Sequence, residues 1–90
     1  SNQSQNVLYQ NQPNPFKDYT NISFELAAEG DATIRVMDVT GKIVFTQSGH
    51  YSKGYHNITI TNSQLTGSGV YYCKIEAGAF SATKKMILIE

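Results

Sequence analysis

Residues 21–36 read NISFELAAEGDATIRV and decide the fold. Apolar side chains occupy every second position on both sides of a turn at residues 29–31, first as Ile22, Phe24 and Leu26 and then as Ala32, Ile34 and Val36. Polar side chains fill the positions between them. A period of two is typical of a β-strand that buries one of its faces. The stretch therefore predicts two strands that each contribute one face to a common core.

The same period continues towards both ends of the chain. Further strands are predicted at residues 43–47, 56–60, 70–76 and 81–89, with a short edge strand at residues 7–9. Turn signals separate them at residues 38–42, 49–54, 65–69 and 77–79. Short strands at this spacing, with no sustained 3.6-residue period, favour an antiparallel two-sheet fold. We predict an all-β, immunoglobulin-like β-sandwich of about seven antiparallel strands with Greek-key connections.

The segment Tyr71-Tyr72-Cys73 supports and limits this prediction. In many sandwiches a tyrosine two residues before a cysteine bonds back to the preceding corner, which residues 65–69 would form here. The chain has no Trp, and its single cysteine, Cys73, cannot form an internal disulfide. An antibody-type domain is therefore excluded, and Cys73 is predicted to be a small buried hydrophobic residue.

Length and charge exclude several classes of protein. Ninety residues correspond to one small domain. Seven Lys and Arg balance seven Asp and Glu, so the chain lacks the cationic excess of a nucleic-acid binder. The amide-rich start predicts that residues 1–7 are a linker or a cloning remnant and that residues 8–90 form the domain.

The candidate catalytic and metal-binding residues lack the spacing that chemistry requires. A nucleophile needs a base within hydrogen-bond reach, and zinc or calcium sites need defined ligand patterns. The candidates are His50, His56 and Cys73, with Asp18, Asp31 and Asp38 as orienting or ligating groups. Their positions show no such pattern, so we predict no catalytic site, no metal site and no cofactor. The aspartates are predicted to cap turns, and whether a calcium ion binds the loops stays open.

The tyrosines offer an alternative function. Exposed rings could line a sugar or peptide platform, as in an adhesion or carbohydrate-binding module appended to a secreted enzyme. Such rings more often serve as core and cross-strand packing. The residues concerned are Tyr9, Tyr19, Tyr51, Tyr55 and Tyr72.

The two ends of the predicted domain carry unusual segments. Residues 13–16, PNPF, predict a stiff, extended corner with Phe16 as a hydrophobic anchor. Residues 84–90, KKMILIE, form a final strand that has two interpretations. It is either an internal strand with a charged solvent face or a segment that another protein recognises, through backbone pairing or side-chain pockets.

Four motifs together resemble a known family. Residues 9–16 (YQNQPNPF), 38–42 (DVTGK), 65–71 (LTGSGVY) and 84–88 (KKMIL) occur in the order found in the type A C-terminal sorting domain of type IX secretion. The similarity extends from about residue 8 to residue 89. It implies an immunoglobulin-like sandwich that acts as an export signal without being an enzyme.

The resemblance also implies partners and recognition residues. An upstream cargo in the same chain would cross the periplasm and outer membrane of a Gram-negative bacterium to the cell surface. The outer-membrane translocon and shuttle proteins would bind the domain, and a sortase-type surface peptidase would remove it. By match to the motifs, the recognition residues are Pro13, Asn14, Pro15, Phe16, Gly41, Lys42, Gly69, Tyr71, Lys84, Lys85, Met86, Ile87 and Leu88. Cys73 has no counterpart in the motifs. The cargo, the cleavage site and dimerisation through the terminal strand stay open.

Overall fold

A computed structural model describes residues 5–90 of the chain. This part contains seven strands, which are β1 (Val7–Leu8), β2 (Tyr19–Leu26), β3 (Gly30–Asp38), β4 (Ile43–Tyr51), β5 (Gly54–Thr61), β6 (Gly69–Ala77) and β7 (Phe80–Leu88). One 3-10 helix, Asn62–Gln64, precedes the turn into β6. Within residues 5–90 no helix has the length and hydropathy needed to span a membrane.

The strands form two antiparallel sheets. One sheet has three strands in the order β1-β2-β5, and the other has four strands in the order β4-β3-β6-β7. The chain passes from one sheet to the other after β2, after β4 and after β5. The predicted all-β, immunoglobulin-like sandwich is confirmed.

The core lies where the inward faces of the two sheets meet. The alternating residues of the 21–36 stretch supply its centre, because all six apolar residues predicted to face inward are buried. The remaining buried apolar residues are Leu8, Phe16, Ile60, Leu65, Tyr71, Cys73, Ile75, Met86 and Leu88. Residues from both ends of the described chain are therefore part of one core.

The predicted loop at residues 49–54 is wrong in its first half. β4 continues to Tyr51, because its ladder with β3 runs on to the pair of Gly30 with Tyr51. Only Ser52 and Lys53 remain between β4 and β5. The polar residues of this stretch suggested a loop, but an outward sheet face accepts the same residue types.

The first described residues contact β2 and the residue that follows it. Val7, placed in the predicted linker, pairs with Glu25 of β2. The Asn6 Oδ1 atom accepts a hydrogen bond from the Ala27 N–H at 2.9 Å. Residues 1–4 of the predicted linker lie outside the described residues, so the boundary stays a prediction.

Candidate recognition surface

The four motifs lie at the same end of the sandwich. β3 ends and β6 begins there, since the register places Asp38 beside Tyr71. β7 ends there, because Gly69 pairs with Leu88. Phe16 forms a parallel bridge with Leu88 and so brings the opening motif to the same place. We call this region the motif end.

The terminal strand β7 is the last strand in the order of the four-stranded sheet, and its ladder with β6 extends along its whole length. Met86 and Leu88 face inward and are buried, whereas Lys85 is exposed and Ile87 is half-buried on the outward face. Lys84 shares the inward face with Met86 and is half-buried. A charge on the inward face of an edge strand hinders pairing with a further strand.

The opening segment, residues 10–16, covers the edge of β7. The Ile87 N–H donates to Asn14 Oδ1 at 2.9 Å. The Phe16 N–H donates to the Ile87 carbonyl at 2.9 Å, and the Ile89 N–H donates to the Phe16 carbonyl at 2.8 Å. Gln10 Nε2 donates to the Lys85 carbonyl at 2.7 Å. A partner chain, or a second copy, that paired with these backbone groups would first have to displace the opening segment.

The corner at residues 13–15 connects the two sheets. Gln12 pairs with Asn21 of the three-stranded sheet, and Phe16 bridges to the four-stranded sheet. The chain changes sheets within four residues, so the predicted corner is present, but residues 13–15 are bends and their predicted extended geometry is wrong. The Gln12–Pro13 and Asn14–Pro15 peptide bonds are both cis. The prediction that Phe16 is a hydrophobic anchor is confirmed, because its side chain is only 1% exposed.

Two buried polar residues that the sequence patterns did not indicate, Asn11 and Thr20, support this corner. Asn11 Nδ2 donates to Thr20 Oγ1 at 2.9 Å, and Thr20 Oγ1 donates to the Pro13 carbonyl at 2.8 Å. Asn11 lies in an amide-rich run that suggested a linker. The burial of Thr20 was predictable, because Thr20 lies on the same face of β2 as the inward residues Ile22 and Phe24.

The turn at residues 38–42 is closed by the Asp38 carboxylate. Asp38 Oδ1 accepts hydrogen bonds from the N–H of Thr40 at 2.9 Å and of Lys42 at 3.1 Å. The Thr40 hydroxyl, which also donates to this oxygen, is the main cause that lowers the pKa of Asp38. Gly41 has φ +88°, which other residues rarely adopt. The prediction that Asp38 caps a turn is confirmed, and Lys42 is left exposed.

Tyr71 forms the predicted tyrosine corner. Its hydroxyl donates to the Gly67 carbonyl at 2.5 Å and accepts a hydrogen bond from the Thr66 N–H at 3.1 Å. The ring is buried in the core. The corner therefore fixes the turn before β6 to the strand that pairs with β7.

Replacing Tyr71 by phenylalanine should lower the free energy of unfolding by about 1–3 kcal/mol, because the ring remains but the turn loses the hydrogen bonds of the hydroxyl with the Gly67 carbonyl and with the N–H and hydroxyl of Thr66. Urea denaturation followed by circular dichroism measures the loss. The matched control is Tyr72→Phe, whose exposed ring should lose less than about 0.5 kcal/mol. Equal stability of the Tyr71→Phe and Tyr72→Phe proteins would contradict a structural role of the Tyr71 hydroxyl.

The candidate catalytic residues do not meet. Cys73 is buried, and burial raises the pKa of its thiol to about 12, so it is not a ready nucleophile. His50 lies on β4, not in a loop, and contacts Asp31 at 2.9 Å and Glu29 at 2.8 Å. The hydrogen bonds with these carboxylates, above all that with Asp31, raise the pKa of His50.

His56 belongs to the other sheet, where its ring stacks on Phe24. Among residues 5–90 no group of His, Cys, Asp and Glu is arranged to hold a metal ion.

The five tyrosines proposed as a sugar or peptide platform lie in different places. Tyr9 and Tyr55 approach each other on the three-stranded sheet with ring centroids 6.1 Å apart, beside a shallow cavity of about 330 Å³. Tyr51 instead packs edge-on against Phe24, and Tyr72 belongs to the four-stranded sheet. A single aromatic platform of all five residues does not exist.

The described residues thus form a small, immunoglobulin-like β-sandwich whose four distinctive motifs gather at one end. The chain matches the family model of the secretion system C-terminal sorting domain over residues 11–90. The chain belongs to this family, whose members serve as C-terminal sorting domains in type IX secretion. Membership implies interaction with that secretion machinery, an attached upstream cargo and a secreted or cell-surface destination. Among curated proteins, none gave a significant match.

Proposed function

We propose that this domain directs an attached cargo protein through the type IX translocon across the outer membrane. The observation that carries the proposal is the convergence of the four motifs at the motif end, on a chain that belongs to the sorting-domain family. Motifs that are far apart in sequence become one surface, which a single partner could contact.

The domain would act as an export signal and not as an enzyme. The burial of Cys73 and the separation of His50 and His56 on different sheets support this part of the proposal. Shuttle proteins would accompany the cargo, and a sortase-type peptidase would remove the domain at the cell surface. The recognition residues would then be the accessible ones of the motif end, with Lys85 and Ile87 presenting side chains from β7. The buried motif residues Phe16, Tyr71, Met86 and Leu88 would act by holding that surface in shape.

An export assay tests the proposal. Residues 1–90 are fused behind a fluorescent reporter that carries a signal peptide, and the fusion is expressed in a host with an active type IX system. We expect the reporter on the cell surface or in the medium, and in the periplasm of the same host without its translocon. Periplasmic retention of the intact fusion in the competent host would contradict the proposal.

A further inference from the structure

The outward face of the four-stranded sheet carries an apolar patch at the motif end. The register aligns Ile43, Met37, Tyr72 and Lys85 in one row across β4, β3, β6 and β7. Val70 and Ile87 form the next row on the same face. We call Met37, Ile43, Val70, Tyr72 and Ile87 the outer patch. Ile43 is 49% exposed and Tyr72 is 38% exposed, so the patch is accessible.

The rest of the same face is polar. The row that follows towards the other end contains Arg35, Thr46, Lys74 and Thr83, and the next contains Thr33, Ser48, Glu76 and Ser81. A solvated sheet face normally has this polar composition. A contiguous apolar patch with a polar border is instead typical of a protein-binding surface. The apolar side chains are thus confined to the part of the face that lies at the motif end.

Two lysines border the outer patch. Lys85 ends the patch row and Lys42 follows the adjacent turn, and neither forms an ion pair within residues 5–90. Three acidic groups on this face or at the motif end have partners within the domain, and one of them, Glu90, accepts a hydrogen bond from the Ser68 hydroxyl at 3.4 Å. Glu76 pairs with Arg35 and Lys74, and Asp38 accepts the hydrogen bonds of its own turn. A partner would therefore satisfy this surface by placing carboxylates opposite Lys85 and Lys42.

We propose that the outer patch is the docking surface for a protein of the export machinery that presents apolar side chains bordered by carboxylates. The inference rests on the proposed function and identifies the outward face of the four-stranded sheet as the one that the export machinery contacts. Side-chain docking suits this location, because the opening segment already occupies the edge of β7. A second copy is a poor occupant, since symmetric pairing of the same patch would bring the lysines of both copies together.

Two matched pairs of substitutions in the reporter fusion test the inference. Tyr72→Ser removes a central ring of the outer patch, whereas Tyr55→Ser removes an exposed ring from the other sheet. Lys85→Glu reverses a charge at the patch, and Lys53→Glu reverses one at the opposite end of the sandwich. We expect Tyr72→Ser and Lys85→Glu to reduce export about tenfold or more, because an aromatic anchor carries a large share of interface energy and a reversed charge would repel the carboxylates of the partner. The Tyr55→Ser and Lys53→Glu fusions should stay within about twofold of the unsubstituted fusion.

Folding and oligomeric state are measured on the same purified domains. Thermal unfolding should show that the substituted domains fold, and Ile43→Ser replaces Tyr72→Ser if that domain does not. Undiminished export of both patch variants would overturn the inference while leaving the proposed function intact. A dimer of the unsubstituted domain that Tyr72→Ser dissociates would also overturn it, in favour of a second copy. Retention of the unsubstituted fusion in the periplasm of the competent host would contradict the proposed function itself.

Discussion

Replacing Phe16 by alanine is expected to lower the free energy of unfolding by about 3–5 kcal/mol, which is the usual cost of truncating a buried phenylalanine. The side chain is buried in the common core of the two sheets. A domain of this size has a total stability of only about 5–10 kcal/mol. The substitution should therefore bring the domain close to the unfolding threshold.

The backbone of Phe16 adds to the effect. Its N–H and carbonyl pair with Ile87 and Ile89, so the side chain anchors the segment that covers the edge of β7. Once the anchor is lost, we expect the backbone amides of Ile87 and Ile89 to exchange with solvent faster than those of β3. Urea denaturation and amide hydrogen exchange measure the two effects. Phe16→Leu, which retains most of the apolar volume, should cost less than about 1.5 kcal/mol. A Phe16→Ala domain within about 1 kcal/mol of the unsubstituted protein would contradict the anchoring role.

Local patterns predicted the parts of the fold that depend on a single strand. The alternation in residues 21–36 identified the inward faces of β2 and β3, because side-chain direction in a strand follows from position alone. The spacing of Tyr71 and Cys73 identified the corner in the same way, since the hydroxyl reaches backbone only a few residues away.

Features that depend on a partner strand were not predictable from local patterns. The length of β4 follows from its ladder with β3, and its polar residues gave no local sign of this. The opening segment covers the edge of β7 through hydrogen bonds such as that between Asn14 and Ile87, which are far apart in sequence. The outer patch likewise exists only because the register aligns Ile43 with Met37 and Tyr72.

Deleting residues 85–90 is expected to abolish export of the reporter fusion. The deletion removes Lys85 and Ile87, which we propose the export machinery contacts, together with the buried residues Met86 and Leu88. Loss of two buried apolar side chains costs about 4–10 kcal/mol in total, which is close to the stability of the whole domain. The truncated domain should therefore be unfolded as well as lacking its terminal strand. The measurement is the ratio of surface to periplasmic reporter, and surface delivery of the truncated fusion would contradict a role for the terminal strand.

Comparison with Phe16→Ala separates the two consequences of this deletion, because that substitution weakens the fold and leaves residues 84–90 in place. If the machinery reads the terminal residues as a linear segment, the Phe16→Ala fusion should be exported and the truncated fusion should not. If it recognises the folded motif end, the truncated fusion should be retained in the periplasm, export of the Phe16→Ala fusion should fall with the folded fraction measured for that domain, and Phe16→Leu should restore export. We expect the second result, because Lys85 and Ile87 lie beside Tyr72 and Val70 only when β7 is paired with β6.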